Sequence, residues 1–347
     1  MIRVGLVGYG LGGKVFHAPL IRLAPDLELY AICSRSEDKQ ALAKKDYPNI
    51  KTYGHYEQML ADDQVDLVVL STPHDTHAPL SIQAMNAGKH LVTDKVMCLN
   101  ESEALAMIEA SVKNDVLLSV FQNRRWDGDF LTLQKLMAEN ALGEIFTVES
   151  NITSFGGAPS GWRAWQKNGG GRVRDWGAHL IDQALQLWGV KVSQVFADFQ
   201  FHYPTERSDV ESTAMIHLRF ENGIRFFIEL GSAWMYPKPR FHVRGEKGSF
   251  RKYGVDPQEA AMKLGTFGLS IPEDVARYQM RIKNEKGQTQ EPQVPVVPGC
   301  YRTYYDNIGA VLAHGADLLV KPEQCLDAIC VLDAVFESAK RGEVISL

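Results

Sequence analysis

The chain has 347 residues, 45% hydrophobic and 23% charged, which is the composition of an ordinary globular protein of about two domains. Its formal net charge of −5 leaves no basic footprint for nucleic acid or an anionic membrane surface, and no apolar run approaches the ~20 residues of a membrane span. The N-terminus MIRVGLVGYG lacks the zones of a secretory leader, and five cysteines without a C-x-x-C pair are those expected of reduced thiols in the cytoplasm.

In chain order, Ile2–Val7 is a short β-branched run that ends on a glycine cluster. Leu27–Cys33, Val65–Ser71, His90–Thr93 and Val116–Phe121 are the next strand patterns. Val65–Ser71 is too apolar to have a wet face, as in a parallel strand covered on both sides. Helical patterns lie between the strands, at Ala18–Leu23, Lys39–Lys45, Tyr56–Ala61, Pro79–Ala87 and Ser102–Lys113, and Gly88 fits a C-terminal cap. Strict alternation of strand and helix predicts an α/β domain, doubly wound around a mostly parallel sheet, over residues 1–121.

The pattern changes beyond that point. Ile145–Ile152, Gln194–Phe201, Ser212–Phe220, Ile224–Ser232 and Arg240–Gly245 alternate like antiparallel strands, and Asn222-Gly223 is a strong hairpin turn. Helical patterns occupy Phe130–Glu139, Trp176–Leu187, Tyr301–His314 and Pro322–Lys340, and Lys283–Pro298 reads as loop with one ragged strand. Residues 122–347 are therefore expected to form an α+β domain with a large, mainly antiparallel open sheet, its C-terminal helices able to pack back on the first domain.

Gly8-Tyr-Gly10-Leu-Gly-Gly13 matches G-x-G-x-x-G, directly after a strand and opening a helix, the context that gives this motif meaning. Gly8 allows the tight turn, Gly10 the approach of a pyrophosphate, and Gly13 close packing of helix on sheet. The amides near Leu11 and Gly12 would meet the phosphates. The second strand ends in Cys33-Ser34-Arg35-Ser36, where an NAD-specific site would carry an acid. Ser34 can hydrogen-bond a 2′-phosphate and Arg35 can fork onto it, with Lys39 adding charge, so the expected cofactor is NADP(H). Thr72, Pro73, His74 and His77 follow the third strand pattern at the same sheet edge. A role for His77 at the helix start, without a ligand, stands beside the ligand role.

Asp94-Lys95 ends the next strand and points into the same crevice. Lys95 there can touch the nicotinamide ribose and a substrate oxygen together, while Asp94 holds the turn. Further on, Asp175 and His179 stand four apart after a glycine run, on one face of a helix, with Asp182 three beyond. A capping role for Asp175 and a core role for His179 are the structural alternatives. Asn123, Trp162 and Arg163 are candidates for contact with cofactor or substrate, and Tyr301 and Tyr304 are weaker ones.

These motifs together resemble the glucose–fructose oxidoreductase / inositol dehydrogenase / MocA-like family over essentially the whole chain. The matching elements are Gly8, Gly10 and Gly13; Thr72-Pro73; Asp94-Lys95-Val96, for the family's E-K-P; and Asp175 with His179. Gly10-to-Pro19, Asn123-Arg-Arg-Trp-Asp127, Phe130–Leu133, Lys252-Tyr-Gly254 and Asp256 are similar to the branch of NADP-dependent scyllo-inositol dehydrogenases. The resemblance implies a Rossmann domain and an oxidoreductase acting on a cyclic polyol or sugar, with no metal. It implies His179 as acid/base, Lys95 as alkoxide stabiliser and Asp175 as positioner of a neighbouring hydroxyl. It also implies a homodimer or homotetramer through the open sheet. The segments 154–171 and 265–282 would select the substrate. Aldose or ketone reduction, or a non-catalytic NADPH-binding sensor, are the alternatives. Two departures stand out: Arg174, at a position often Tyr in that branch, and Val96 in place of proline, which makes a trans Lys95–Val96 bond the expectation.

Overall fold

The computed structural model describes residues 1–268 and 271–347; the selecting segment 265–282 thus includes two residues outside the described ones. The chain divides into two compact units. The first contains Met1–Asn123, the short helix Gln258–Lys263 and Cys300–Ile329; the second contains Arg124–Pro257, residues 271–299 and Cys330–Leu347.

The first unit is built on six parallel strands: β1 (Ile2–Val7), β2 (Leu27–Cys33), β3 (Lys51–Tyr53), β4 (Leu67–Leu70), β5 (His90–Thr93) and β6 (Leu118–Val120). Their order, β3-β2-β1-β4-β5-β6, reverses direction between β1 and β4. That is the switch point at which doubly wound sheets open a crevice beyond the strand ends. β4 is fully buried, which explains its unbroken apolar sequence. β3 escapes the apolar pattern because it is a three-residue edge strand with no buried position.

The second unit carries nine strands: β7 (Ile145–Thr153), β8 (Val192–Gln200), β9 (Thr213–Phe220), β10 (Arg225–Gly231), β11 (Phe241–Gly245), β12 (Gly248–Lys252), β13 (Tyr278–Lys283), β14 (Thr289–Gln290) and β15 (Ile345–Ser346). Their order is β14-β13-β12-β11-β7-β10-β9-β8-β15, antiparallel throughout except for the parallel pair β7–β10. Asn222-Gly223 closes the β9–β10 hairpin, with Gly223 at φ +85°. β12, β13 and β15 were not legible as strands, while β14 falls in the segment read as loop with one ragged strand. β14 and β15 have two residues each, and β12 opens on Gly248, where a Cβ would stand 2.1 Å from the Arg281 carbonyl oxygen. Alternation sets the faces: Ala214, Ile216, Leu218, Phe226 and Ile228 are buried, while Phe196 and Met215 lie on the open face.

Candidate active site

The glycine loop is fixed by backbone packing. A Cβ at Gly8 (φ +94°) would stand 2.2 Å from the Ser71 carbonyl oxygen, and one at Gly13 would stand 2.0 Å from the Gly8 carbonyl oxygen. At Gly12 it would meet Ser71 Oγ at 2.5 Å. Gly10 differs, because nothing lies within 4 Å of its missing Cβ. Three glycines therefore serve the protein's own packing, and the fourth faces the room that an approaching pyrophosphate needs. Leu11 is exposed, and the chain runs on through a π-helical turn, Gly12–His17, into the helix Ala18–Leu23. These features fit a bound dinucleotide.

Beyond β2, Ser36 caps the helix Glu37–Asp46 through the Lys39 amide, and Gln40 Nε2 donates to the Ser34 carbonyl at 2.9 Å. This shapes a loop from which the Arg35 and Lys39 side chains project into solvent. Beyond β4, the Thr76 hydroxyl lies 2.7 Å from Thr72 Oγ1 and 2.6 Å from the Pro73 carbonyl.

Both histidines next to that turn are buried. His77 is completely buried, with Nδ1 2.7 Å from the Val96 carbonyl and Nε2 3.1 Å from the Thr72 carbonyl. Its ring ties the Thr72-Pro73 turn to the acid–lysine turn and has no side-chain surface to offer a ligand. Burial pulls it below the usual imidazole range, against the opposing pull of Asp94. His74 is also buried, packed edge-on against His77.

The Lys95–Val96 bond is cis, not trans. The turn takes this form without proline, with Val96 buried and its carbonyl held by His77. Asp94 Oδ1 accepts the Lys95 amide at 2.8 Å, so the acid does hold the turn. Burial pushes the Asp94 carboxyl up, but His17, Lys95 and His77 outweigh it and keep the group well below the usual carboxylate range. Asn123 is buried at the start of a 3-10 turn, Asn123–Trp126. Tyr301 and Tyr304 are core residues, and the Tyr304 hydroxyl donates to Ser119 Oγ at 2.9 Å.

In the second unit, a π-helical turn, Val173–Gly177, leads into the helix Ala178–Trp188. Asp175 belongs to the turn and His179 to the helix, so the i,i+4 register of a regular helix does not run unbroken between them. The Asp175 carboxylate is 29% exposed, with Oδ2 3.9 Å from Arg163 Nε. Arg163 stacks 4.3 Å over the Trp162 ring. His179 is buried, its ring edge-on to Trp176.

Comparison with known proteins decides the family. Residues 2–122 match the oxidoreductase family with an NAD-binding Rossmann fold, and residues 130–251 match the GFO/IDH/MocA C-terminal domain. The chain belongs to the GFO/IDH/MocA oxidoreductase family. It is 33% identical to the scyllo-inositol 2-dehydrogenase (NADP(+)) IolW of Bacillus subtilis, over all of this chain and 96% of that protein. It is 31% identical to the myo-inositol 2-dehydrogenase of Thermotoga maritima, over 71% of this chain and 74% of that one. Among solved structures, the oxidoreductase yvaA of Bacillus subtilis superposes with a TM-score of 0.91 at 30% identity, covering 100% of this chain and 98% of that chain.

In this GFO/IDH/MocA member the helix bearing His179 is anchored by residues that local spacing does not single out. Arg125 donates to Asp182 through two nitrogens, at 2.9 and 2.7 Å, so Asp182 serves Arg125. Gln183 donates to the Arg124 carbonyl at 2.7 Å and accepts from Arg240 at 2.6 Å. Arg124 lies 4.1 Å over the Trp176 ring. At the start of the π turn, buried Glu211 accepts the Val173 amide at 2.7 Å. A Cβ at Gly171 (φ +102°) would stand 2.6 Å from that carboxylate. Burial lifts Glu211 above the usual carboxyl range, only partly offset by the Val173 amide. The strings Asn123–Asp127 and Lys252–Asp256 gain a structural meaning here. Arg124 pairs with Asp127, Lys252 lies 3.1 Å from Asp129, and Asp256 accepts the Gly128 amide at 2.7 Å. Among the described residues, no cluster of His, Cys, Asp or Glu could hold a metal ion, and no helix is long and apolar enough to cross a membrane.

Proposed function

We propose that this protein is an NADP-dependent dehydrogenase acting on the CH–OH group of a cyclic polyol or sugar of the scyllo-inositol kind. The observation that carries the reading is the closeness of the acid–lysine turn to the glycine loop: a Cβ at Gly12 would stand 3.4 Å from Asp94 Oδ2. An amine that ends a strand there is well placed to serve a bound dinucleotide and its substrate. The loop Ser34-Arg35, with no acid at the end of β2, supports a 2′-phosphate, and a full-length relative bears an NADP-dependent inositol dehydrogenase name.

Each residue then has a role. Backbone amides near Leu11 and Gly12 receive the pyrophosphate. Ser34 and Arg35 hold the 2′-phosphate, while Thr72, Pro73 and Asn123 line the ribose and nicotinamide. His179 takes the substrate hydroxyl proton on oxidation and returns it on reduction. The Lys95 ammonium stabilises the developing alkoxide. Asp175 accepts a hydrogen bond from a neighbouring hydroxyl, and Trp162 and Arg163 cover the ring. When bound, the nicotinamide accepts or gives the hydride at C4.

The test is a mutant cycle assayed on inositols, aldoses and small ketones with both dinucleotides. Lys95→Ala and His179→Ala should each lower turnover roughly 10²- to 10⁴-fold while NADPH affinity by fluorescence stays within a few-fold. Two groups acting on one hydroxyl are strongly non-additive, so the double variant should lose far less than the product of the single losses. Near-normal turnover in either single variant overturns the assignment. NADPH binding with no turnover on any substrate would favour a sensor.

A further inference from the structure

Among the buried titratable groups that the mechanism above does not use is His17. His17 ends the π-helical turn that follows the glycine loop and is fully buried. Its Nε2 lies 3.2 Å from Asp94 Oδ2, and its Nδ1 lies 2.6 Å from the Tyr305 hydroxyl. Tyr305, on the helix Arg302–His314, is fully buried, and Phe121 packs against both rings. The other titratable groups turned toward this chain are Lys95 and His77, which act on Asp94, and Tyr304, which acts on Tyr305.

We propose that His17 and Tyr305 are positioning residues for Lys95: acting through Asp94, they clamp the acid–lysine turn to the helical turn that begins at the glycine loop. The proposal rests on the role given to Lys95 above. Asp94 divides its two oxygens, one holding the Lys95 amide and the other meeting His17. An acid accepts only, so His17 presents Nε2–H to it and leaves Nδ1 to accept from the Tyr305 hydroxyl. Tyr305 thereby selects the tautomer that Asp94 requires. Burial keeps the Tyr305 phenol protonated far into alkali, so this donor does not switch off in the working range. Without His17, the charge of Lys95 is the main one left acting on Asp94. The lysine is then drawn toward the acid and away from substrate. The dinucleotide's phosphates and the catalytic lysine are thus referred to one helical turn.

The experiment compares His17→Leu, His17→Gln and Tyr305→Phe in the full-length enzyme, with Lys95→Ala as reference. The Gln variant keeps an N–H aimed at Asp94; the Leu variant does not. His17→Leu should lower kcat roughly ten- to a hundredfold, as a misplaced catalytic group does, with NADPH affinity nearly unchanged. It should also move the acid limb of the kcat profile upward in pH, because a carboxyl that has lost its partner takes up a proton more readily. His17→Gln should recover most of the rate and the original limb. Tyr305→Phe should show a smaller drop in kcat with the same NADPH affinity, and it carries the test if His17→Leu does not fold. A normal kcat and pH profile in His17→Leu, or in Tyr305→Phe in its place, overturns the proposal while leaving Lys95 its role if Lys95→Ala is inactive. Full activity in Lys95→Ala overturns both.

Discussion

Each unit carries a π-helical turn next to candidate residues, Gly12–His17 in the first and Val173–Gly177 in the second, yet the two are held by different means. The first is shaped by the backbone. Glycines without room for a Cβ set the loop, and an imidazole wedged between two carbonyls, able to donate to one of them, lies between neighbouring turns. The second is shaped by side chains: Arg125 on Asp182, Arg240 on Gln183, and Glu211 on the Val173 amide. A backbone-built half tolerates almost no substitution at its glycines but needs few charges. A side-chain-built half depends on charges taken out of water, where one lost partner leaves the other stranded.

Five single substitutions and one double would break or sharpen that contrast. The largest effect is expected from Arg125→Leu, which strands the buried Asp182 carboxylate and should destabilise the protein by about 3–5 kcal/mol in denaturant unfolding. The double replacement Arg125→Leu with Asp182→Leu should recover much of that loss. If the single and double variants are equally unstable, the pair is not what holds the helix. Next come the glycines. Gly8→Ala should cost about 1–3 kcal/mol for the backbone conformation alone, and its clash with Ser71 adds to this. Gly10→Ala should leave stability nearly intact and weaken dinucleotide binding in titration calorimetry. The same stability loss at both positions would mean that Gly10 is also a packing glycine.

A smaller effect is expected from Arg35→Ala. Losing a charge-assisted hydrogen bond of about 1.5–3 kcal/mol should reduce kcat/KM for NADP⁺ ten- to a hundredfold and leave that for NAD⁺ almost unchanged. Equal losses would show that Arg35 does not read the 2′-phosphate. The smallest is a change of slope. Glu211 is lifted by burial, so the stability linked to it is complete below the unfolded value of about 4.3 and is lost as pH rises through the folded value. Glu211→Gln should flatten that decline in thermal melts between pH 4 and 8, and an unchanged slope would refute the assignment.

The same contrast explains what could be read from the chain. The six-stranded half was legible because its signals are local: apolar runs for β1, β2, β4 and β5, and a glycine motif at the end of β1. The edge strand β3 was not, having no apolar pattern of its own. Lys95 stood out because a charge at the end of a buried strand is unusual. His17 did not, because its partners Asp94 and Tyr305 lie far away in sequence and nothing nearby marks it. The contacts of Arg125, Arg240 and Glu211 were hidden for the same reason: a polar contact between distant elements has no period. The spacing of Asp175 and His179 suggested a regular helix face, but spacing carries no sign of the π turn that interrupts the register. The cis bond before Val96 was equally hidden, since the residue type argues for trans.

The parallel pair β7–β10 has a consequence for how the chain assembles. β7 is synthesised before its two neighbours, and both lie far downstream, β10 on one side and β11 on the other. The strands β8, β9 and β10 can close on one another as a meander, and β11 with β12 as a hairpin, each from short-range pairing. β7 is the seam that joins these two groups. Until one of them has formed it presents two unpaired edges, and until both have it presents one, so the pairing of β7 is a long-range step that leaves a strand edge open to aggregation. A nascent chain released before Gly245 would still carry β7 with its β11 edge open.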